Sequence, residues 1–344
     1  MSLQNVMRAA VLTGVEHVEV QTVPMPELVE GWSLVRCDYT GLCGTDFAIL
    51  HGQHPRAQFP LIMGHEISGT VVKSAGNQLP EGVRVTAEPL ISCGKCGACK
   101  RGDAHVCRNL QLYGIDKPGA LAEYVALPND RLIVVPDGVS QELAALTEPL
   151  AVAVHAVRLS PIRAGDQALV FGAGPIGMLT ALVARHAGAR KVIIAEPSEE
   201  RSKEAQRLGF DVVKPGLEIG AALTQMTGGE GVDVAFDAAA HPSVAAVLPS
   251  VVRPKGTIIL VGVYKKPTSI DLQALTFKEI TMTGVRVYTR ADVEEAVDLI
   301  ASDALNLSLF PTRVYSLEEI RTAFDEAMSG GATLKVIINA AGNR

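Results

Sequence analysis

The chain has 344 residues, with 31 Lys or Arg against 37 Asp or Glu, a formal net charge of −6. Hydrophobic residues make up 48% and charged residues 20%, which excludes disorder as the main state, and the acidic balance argues against general nucleic-acid binding. No apolar run reaches the roughly 18 residues of a spanning helix, and Met1–Ala10 lacks the apolar core of a signal peptide, so a cytoplasmic protein of about two domains, with no membrane partner, is expected.

The first third reads as short strands separated by turns. Val6–Leu12, Val15–Gln21, Ser33–Thr40, Ile67–Ser74, Val83–Thr86 and Ala122–Leu127 are Val-rich and bounded by Gly or Pro, which predicts a β-rich domain with long loops. A helix is expected from about Glu148 to Val157, with Pro149 in its first turn, where no intrahelical donor is needed. The rhythm then changes. Strands at Ala168–Phe171, Lys191–Ala195, Val212–Val213, Val232–Asp237, Thr257–Val263 and Ile280–Val285 alternate with helices at Ile176–Ala187, Glu199–Leu208, Leu217–Met226 and Ser243–Val252. Such alternation predicts an α/β fold with a doubly wound parallel sheet covered on both faces. Helices at Asp292–Ile300 and Leu317–Met328 and a strand at Leu334–Asn339 close the chain.

Four of the six cysteines, Cys93, Cys96, Cys99 and Cys107, follow the spacing C-x2-C-x2-C-x7-C. Reduced thiols packed this closely suit one tetrahedral metal better than disulfides. A closed four-sulfur set leaves no open position, so a structural zinc is expected there. Cys37 has no such context and reads as a small buried apolar residue.

Gly172-Ala173-Gly174-Pro175-Ile176-Gly177 fits G-x-G-x-x-G between a predicted strand and a predicted helix, the context a dinucleotide site requires. Gly172 suits the tight turn, Gly174 the approach of a pyrophosphate, and Gly177 the packing of helix on strand. Pro175 and Ile176 open the helix whose N–H groups face the phosphates. Glu196 ends the next strand, where a carboxylate binds the ribose hydroxyls of NAD and repels the extra phosphate of NADP. Arg201 and Ser198 follow closely, and either suits a 2′-phosphate, so NAD is expected and NADP stays open.

Gly41-Leu42-Cys43-Gly44-Thr45-Asp46 and Gly64-His65-Glu66-Ile67-Ser68-Gly69, followed by the four-cysteine loop and the glycine turn, resemble the zinc-dependent medium-chain alcohol and polyol dehydrogenases over nearly the whole chain. That resemblance implies a GroES-like catalytic domain (residues 1–153, with the structural-zinc loop at 93–107), a Rossmann NAD-binding domain (154–290) and a return to the catalytic domain (291–344). It places Cys43, His65 and Glu66 at a second, catalytic zinc, for two zinc ions per chain, with Asp46 as a partner fixing His65. Cysteine, histidine and carboxylate suit a zinc that keeps a position open. Glu148 stands where the alcohol dehydrogenases proper carry another cysteine, a pattern similar to sorbitol, butanediol and threonine dehydrogenases. The sequence leaves open whether Glu66 or Glu148 contacts the metal directly or through water.

Zinc as a Lewis acid lowers the pKa of an alcohol, and the nicotinamide takes the hydride. Thr45 matches the family's hydroxyl relay, but Ala48 stands where many relatives carry a histidine that passes the proton outward. The expected enzyme transfers a hydride between a secondary alcohol, diol or polyol and NAD. The competing expectations are an L-threonine 3-dehydrogenase, to which Gly114–Ala120 is similar, and a non-catalytic NAD-binding structural protein. The resemblance also implies a homodimer or homotetramer, paired through the predicted strand at 280–287.

Overall fold

The computed structural model describes residues 5–76, 78–216 and 218–342. The first four residues and Leu217, where a helix was expected to begin, lie outside them. The chain divides into two compact units, residues 1–148 with 289–344, and residues 149–288. The first division falls inside the helix Thr147–Arg158, a few residues before the expected boundary at 153, and the second falls slightly before the expected 290.

The first unit is built on a seven-stranded sheet. Its centre is Trp32–Gly41, which pairs antiparallel with Glu66–Ser74, Tyr124–Pro128 and Lys335–Asn339. The last of these pairings carries the C-terminal return, since Ile337 faces Gly41 and Ile338 faces Thr40. Thr312–Ser316, a strand the sequence pattern did not suggest, lies parallel to Lys335–Asn339 at the sheet edge. A smaller three-stranded sheet places Val6–Gly14 between His17–Pro24 and Leu61–Ile62.

The second unit carries six parallel strands, in the spatial order Asp211–Val213, Lys191–Ala195, Gln167–Phe171, Val232–Asp237, Val252–Leu260 and Thr281–Gly284. The order reverses beside Gln167–Phe171, so the crevice at the carboxyl ends of the central strands is the place where such sheets bind ligands. Leu169, Phe171, Ile193, Val232, Ala235, Leu248 and Ile258 fill the core between sheet and helices, as expected for strands buried on both faces.

Two elements differ from their expected form for local reasons. The strand expected at Thr257–Val263 starts at Val252. Val252 pairs with Val232 and Thr257 with Val234, so residues 253–256 stand opposite Asp233 alone, and Lys255 takes a φ of 58°. The helix expected at Leu317–Met328 begins as a 3-10 turn, Leu317–Glu319, before Ile320–Met328 continues as α-helix. The Ser316 and Glu319 side chains cap that turn reciprocally.

Candidate active site

Cys43 leaves the strand Trp32–Gly41 as the N-cap of a short helix, Gly44–Leu50. Asp46 closes that cap, its Oδ2 accepting from the Cys43 N–H at 2.8 Å. His65 and Glu66 enter from the start of Glu66–Ser74, which pairs with the end of Trp32–Gly41. Two adjacent sheet strands thus bring the Cys43, His65 and Glu66 ligand atoms within 4.8 Å of one another. His65 and Glu66 are buried. Glu148, also buried, stands outside this group of three, but its charge acts on His65 and on Lys335.

The polar inventory of this cluster is incomplete. Glu66 Oε2, His65 Nδ1 and Asp46 Oδ1 are buried without a hydrogen-bond partner among the described residues. An unpaired buried polar atom forfeits the solvation it had in water, so three at one point mark a place prepared for a ligand. Asp46 Oδ1 lies 3.8 Å from His65 Nδ1, too far for a hydrogen bond. Asp46 therefore acts on His65 through its charge, contrary to the direct bond expected from sequence, because its other oxygen is spent on the helix cap. Burial disfavours the charged form of His65, but Asp46, Cys43 and Glu148 outweigh it and hold the pKa well above the usual histidine value. The same anionic field draws a metal dication, and a thiolate, an imidazole and a carboxylate fit zinc with room for a further ligand.

Lys335, which the sequence reading passed over as the start of a strand, is the surprise of this region. It is 3% exposed, and its Nζ donates to Glu66 Oε1 at 2.5 Å and to the Leu42 carbonyl at 2.9 Å. Gly41 makes room for the pair, since a Cβ there would stand 1.9 Å from Glu66 Oε2. The only sequence signal was a lysine at the head of an otherwise apolar strand. Thr45 is close by, its Oγ1 lying 3.8 Å from Cys43 Sγ. His51, at the end of the same short helix, is paired with Glu16, Nδ1 to Oε1 at 2.5 Å.

The four-cysteine loop forms a second cluster in the same unit. Its sulfurs all lie within 4.8 Å of one another, with Cys96 Sγ 3.5 Å from Cys99 Sγ and 3.9 Å from Cys107 Sγ. All six cysteines of the chain are free. Thiolates about 2.3 Å from a common zinc stand roughly 3.8 Å apart in a tetrahedron, so the spacing fits that ion and not a disulfide near 2.05 Å. Backbone N–H groups of Cys93 and Asn109 point at Cys107 Sγ. Those of Cys99 and Arg108 bring the Cys96 thiol down to about 6, favouring the thiolate a metal needs.

In the second unit, Gln167–Phe171 ends at Gly172, with φ 93°, and Gly174 is the N-cap of the helix Pro175–His186, with Pro175 in its first turn. A Cβ on Gly177 would stand 1.9 Å from the Gly172 carbonyl oxygen, so helix and turn touch only because that residue is glycine. Glu196 is buried against the same turn. Its Oε2 accepts from the Ala173 N–H at 2.6 Å, and its Oε1 from the Ser198 N–H at 2.8 Å. Ser198 caps the helix Glu199–Arg207. Arg201 reaches back so that its Nη1 stands 3.9 Å from where a Gly174 Cβ would be, with its buried Nε unpartnered among the described residues.

Residues 29–137 match the model of the alcohol dehydrogenase GroES-like domain, and residues 175–302 that of the zinc-binding dehydrogenases. A 2-dehydro-3-deoxy-L-galactonate 5-dehydrogenase of Pseudoalteromonas atlantica is 37% identical over 88% of this chain and 91% of its own. The chain belongs to the zinc-binding, GroES-like medium-chain dehydrogenase family. A probable D-xylulose reductase A of Aspergillus clavatus is 36% identical over 93% of each chain, and L-threonine 3-dehydrogenases are also among the relatives of this dehydrogenase. The crystal structure of a zinc-binding dehydrogenase from Sinorhizobium meliloti, bound to NADP, superposes with a TM-score of 0.90 at 31% identity, covering 98% of this chain and all of that one. No helix among the described residues is long and apolar enough to cross a membrane.

Proposed function

We propose that this dehydrogenase transfers a hydride between a secondary alcohol, diol or polyol and NAD, with one zinc at Cys43, His65 and Glu66 and a structural zinc at Cys93, Cys96, Cys99 and Cys107. The reading is carried by the convergence of Cys43, His65 and Glu66 within 4.8 Å, with Glu66 Oε2 and His65 Nδ1 buried and unpartnered. When bound, zinc supplies Lewis acidity toward a substrate oxygen and the nicotinamide accepts the hydride. The chain's own residues do the rest. Cys43, His65 and Glu66 hold the metal from two neighbouring strands, and Glu148 contributes negative charge nearby. Thr45 carries the first proton movement at its Oγ1. Ala48 offers no imidazole to follow it, and the nearby His51 is engaged with Glu16, so the proton would pass from Thr45 to water.

At the nucleotide site, Gly172, Gly174, Pro175, Ile176 and Gly177 form the phosphate turn, and Glu196 recognises the adenosine ribose. NAD is the favoured cofactor because a carboxylate faces that position, while Arg201, whose buried Nε has no partner among the described residues, gives NADP a foothold. The enzyme works as a homodimer or homotetramer in the cytoplasm. Its assembly is supported by the edge strand Thr281–Gly284 and by the exposed apolar side chains Phe277 (80%), Val263 (75%) and Leu272 (64%) in the chain segment before it. The reduced compartment is supported by six free thiols.

The test is reduction of NAD and of NADP against a panel of diols, polyols, sugar acids and L-threonine, with zinc measured on the same preparation. Turnover of polyols or diols with two zinc ions per chain is the expected result. Turnover of L-threonine alone would favour the second reading, a threonine 3-dehydrogenase, which the relatives of that name support.

A further inference from the structure

Lys335 is the one lysine among the described residues that is classed as buried. A lysine so far from water is expected to lose its charge unless anions compensate it. Here the Glu66 carboxylate lies directly against Nζ and compensates the ammonium.

The placement of the ammonium is asymmetric. Nζ takes Glu66 Oε1 and leaves Oε2 unpartnered, facing the space that Gly41 keeps clear. The Leu42 carbonyl takes a second Nζ proton and fixes the direction of the first. Lys335 arrives on Lys335–Asn339, whose pairing to Trp32–Gly41 sets its position to within a strand register.

We propose that Lys335 is a positioning residue that restrains Glu66. By holding Oε1 and adding a positive charge beside the metal, it lets only Oε2 of Glu66 reach the zinc and so keeps a position open for substrate. This rests on the reading of Cys43, His65 and Glu66 as a zinc site. It predicts an unusual sign. Loss of a purely structural neighbour of a metal ligand loosens the metal, commonly by 10–100-fold. Removal of Lys335 should instead tighten it, because a buried carboxylate left without its ammonium finds its compensation in the zinc, and because repulsion between ammonium and dication disappears.

The experiment follows zinc release from the purified enzyme to a colorimetric chelator, together with the visible absorption of the cobalt-substituted protein. Cys43→Ser identifies the release phase of this site as the one it abolishes. Lys335→Met should slow that phase on the order of tenfold, change the cobalt spectrum as the second oxygen of Glu66 moves in, and lower turnover. Lys335→Arg, which keeps the charge, should release zinc at close to the parent rate. Release from Lys335→Met that is unchanged or faster overturns the inference. Should that variant not fold, Lys335→Gln removes the charge but keeps a donor for Oε1, and it carries the same test with the same sign. If Cys43→Ser retains its full zinc complement, the zinc reading itself fails. If Cys43→Ser loses one zinc while removing Lys335 slows nothing, only the role of Lys335 fails.

Discussion

The loop with Cys93, Cys96, Cys99 and Cys107 draws its four thiols from one stretch of chain, whereas the cluster of Cys43, His65 and Glu66 is completed by a lysine 269 positions beyond Glu66. The loop is only partly buried, with three of its cysteines in intermediate exposure, while His65, Glu66 and Lys335 are sealed from water. The loop therefore needs little from the rest of the fold, and its thiols gain from backbone N–H groups close by in sequence. The cluster lives in a low-dielectric interior, where every charge must be answered by another. One arrangement lends itself to holding a short segment together, the other to leaving an atom such as Glu66 Oε2 unsatisfied until a ligand arrives. On the proposed reading, that difference separates a stability role for the loop from a catalytic one for the cluster.

The contrast breaks most sharply in single cysteine replacements. Cys43→Ser should abolish measurable turnover and remove one zinc, with the thermal midpoint nearly unchanged. Assay, elemental analysis and calorimetry on one sample check all three. Thr45→Val should lower kcat about 100-fold, roughly 2.7 kcal/mol in the barrier, at the lower end of what a proton-transfer group contributes. Zinc content and NAD affinity should hold, and Thr45→Ser should keep most activity. Full activity of Thr45→Val across roughly pH 6 to 9, the range in which a zinc-bound hydroxyl could titrate, would remove the hydroxyl from the proton route without touching the metal sites.

Cys99→Ser probes the other side. It should remove one zinc and lower the thermal midpoint by about 10 °C, since the metal contributes folding energy, while protein that stays folded keeps its kcat. A large loss of kcat in folded Cys99→Ser would blur the division between the two clusters. The smallest effect is expected at the nucleotide turn. Glu196→Ala should raise the NAD KM several-fold and narrow the preference over NADP. Part of the loss will be structural, because Glu196 also accepts from the Ala173 and Ser198 N–H groups. Glu196→Gln, which keeps an acceptor and drops the charge, separates the two contributions. If the parent enzyme already prefers NADP, Arg201 becomes the deciding residue.

Sequence reading succeeded where the signal is local. Four cysteines at short spacing, a glycine turn between a strand and a helix, and the alternation of apolar strands with helices all act over a few residues, and the parallel sheet of the second unit follows from them. The short helix Gly44–Leu50 escaped because seven residues are too few to show a period. Leu272–Phe277, at six residues, escaped for the same reason.

By itself the sequence determined the fold class, the cysteine loop, the glycine turn and the presence of Cys43, His65 and Glu66 in motifs of recognisable type. Only the tertiary structure decided how those last three are surrounded. It turned Asp46 away from a bond to His65 and toward the Cys43 cap, used both oxygens of Glu196 on backbone N–H groups, and brought Lys335 to Glu66. The physical reason is reach. Spacing within a loop or turn is written in neighbouring residues, but a buried ion pair between strands far apart in the chain is set by sheet register, and register emerges only when the strands meet.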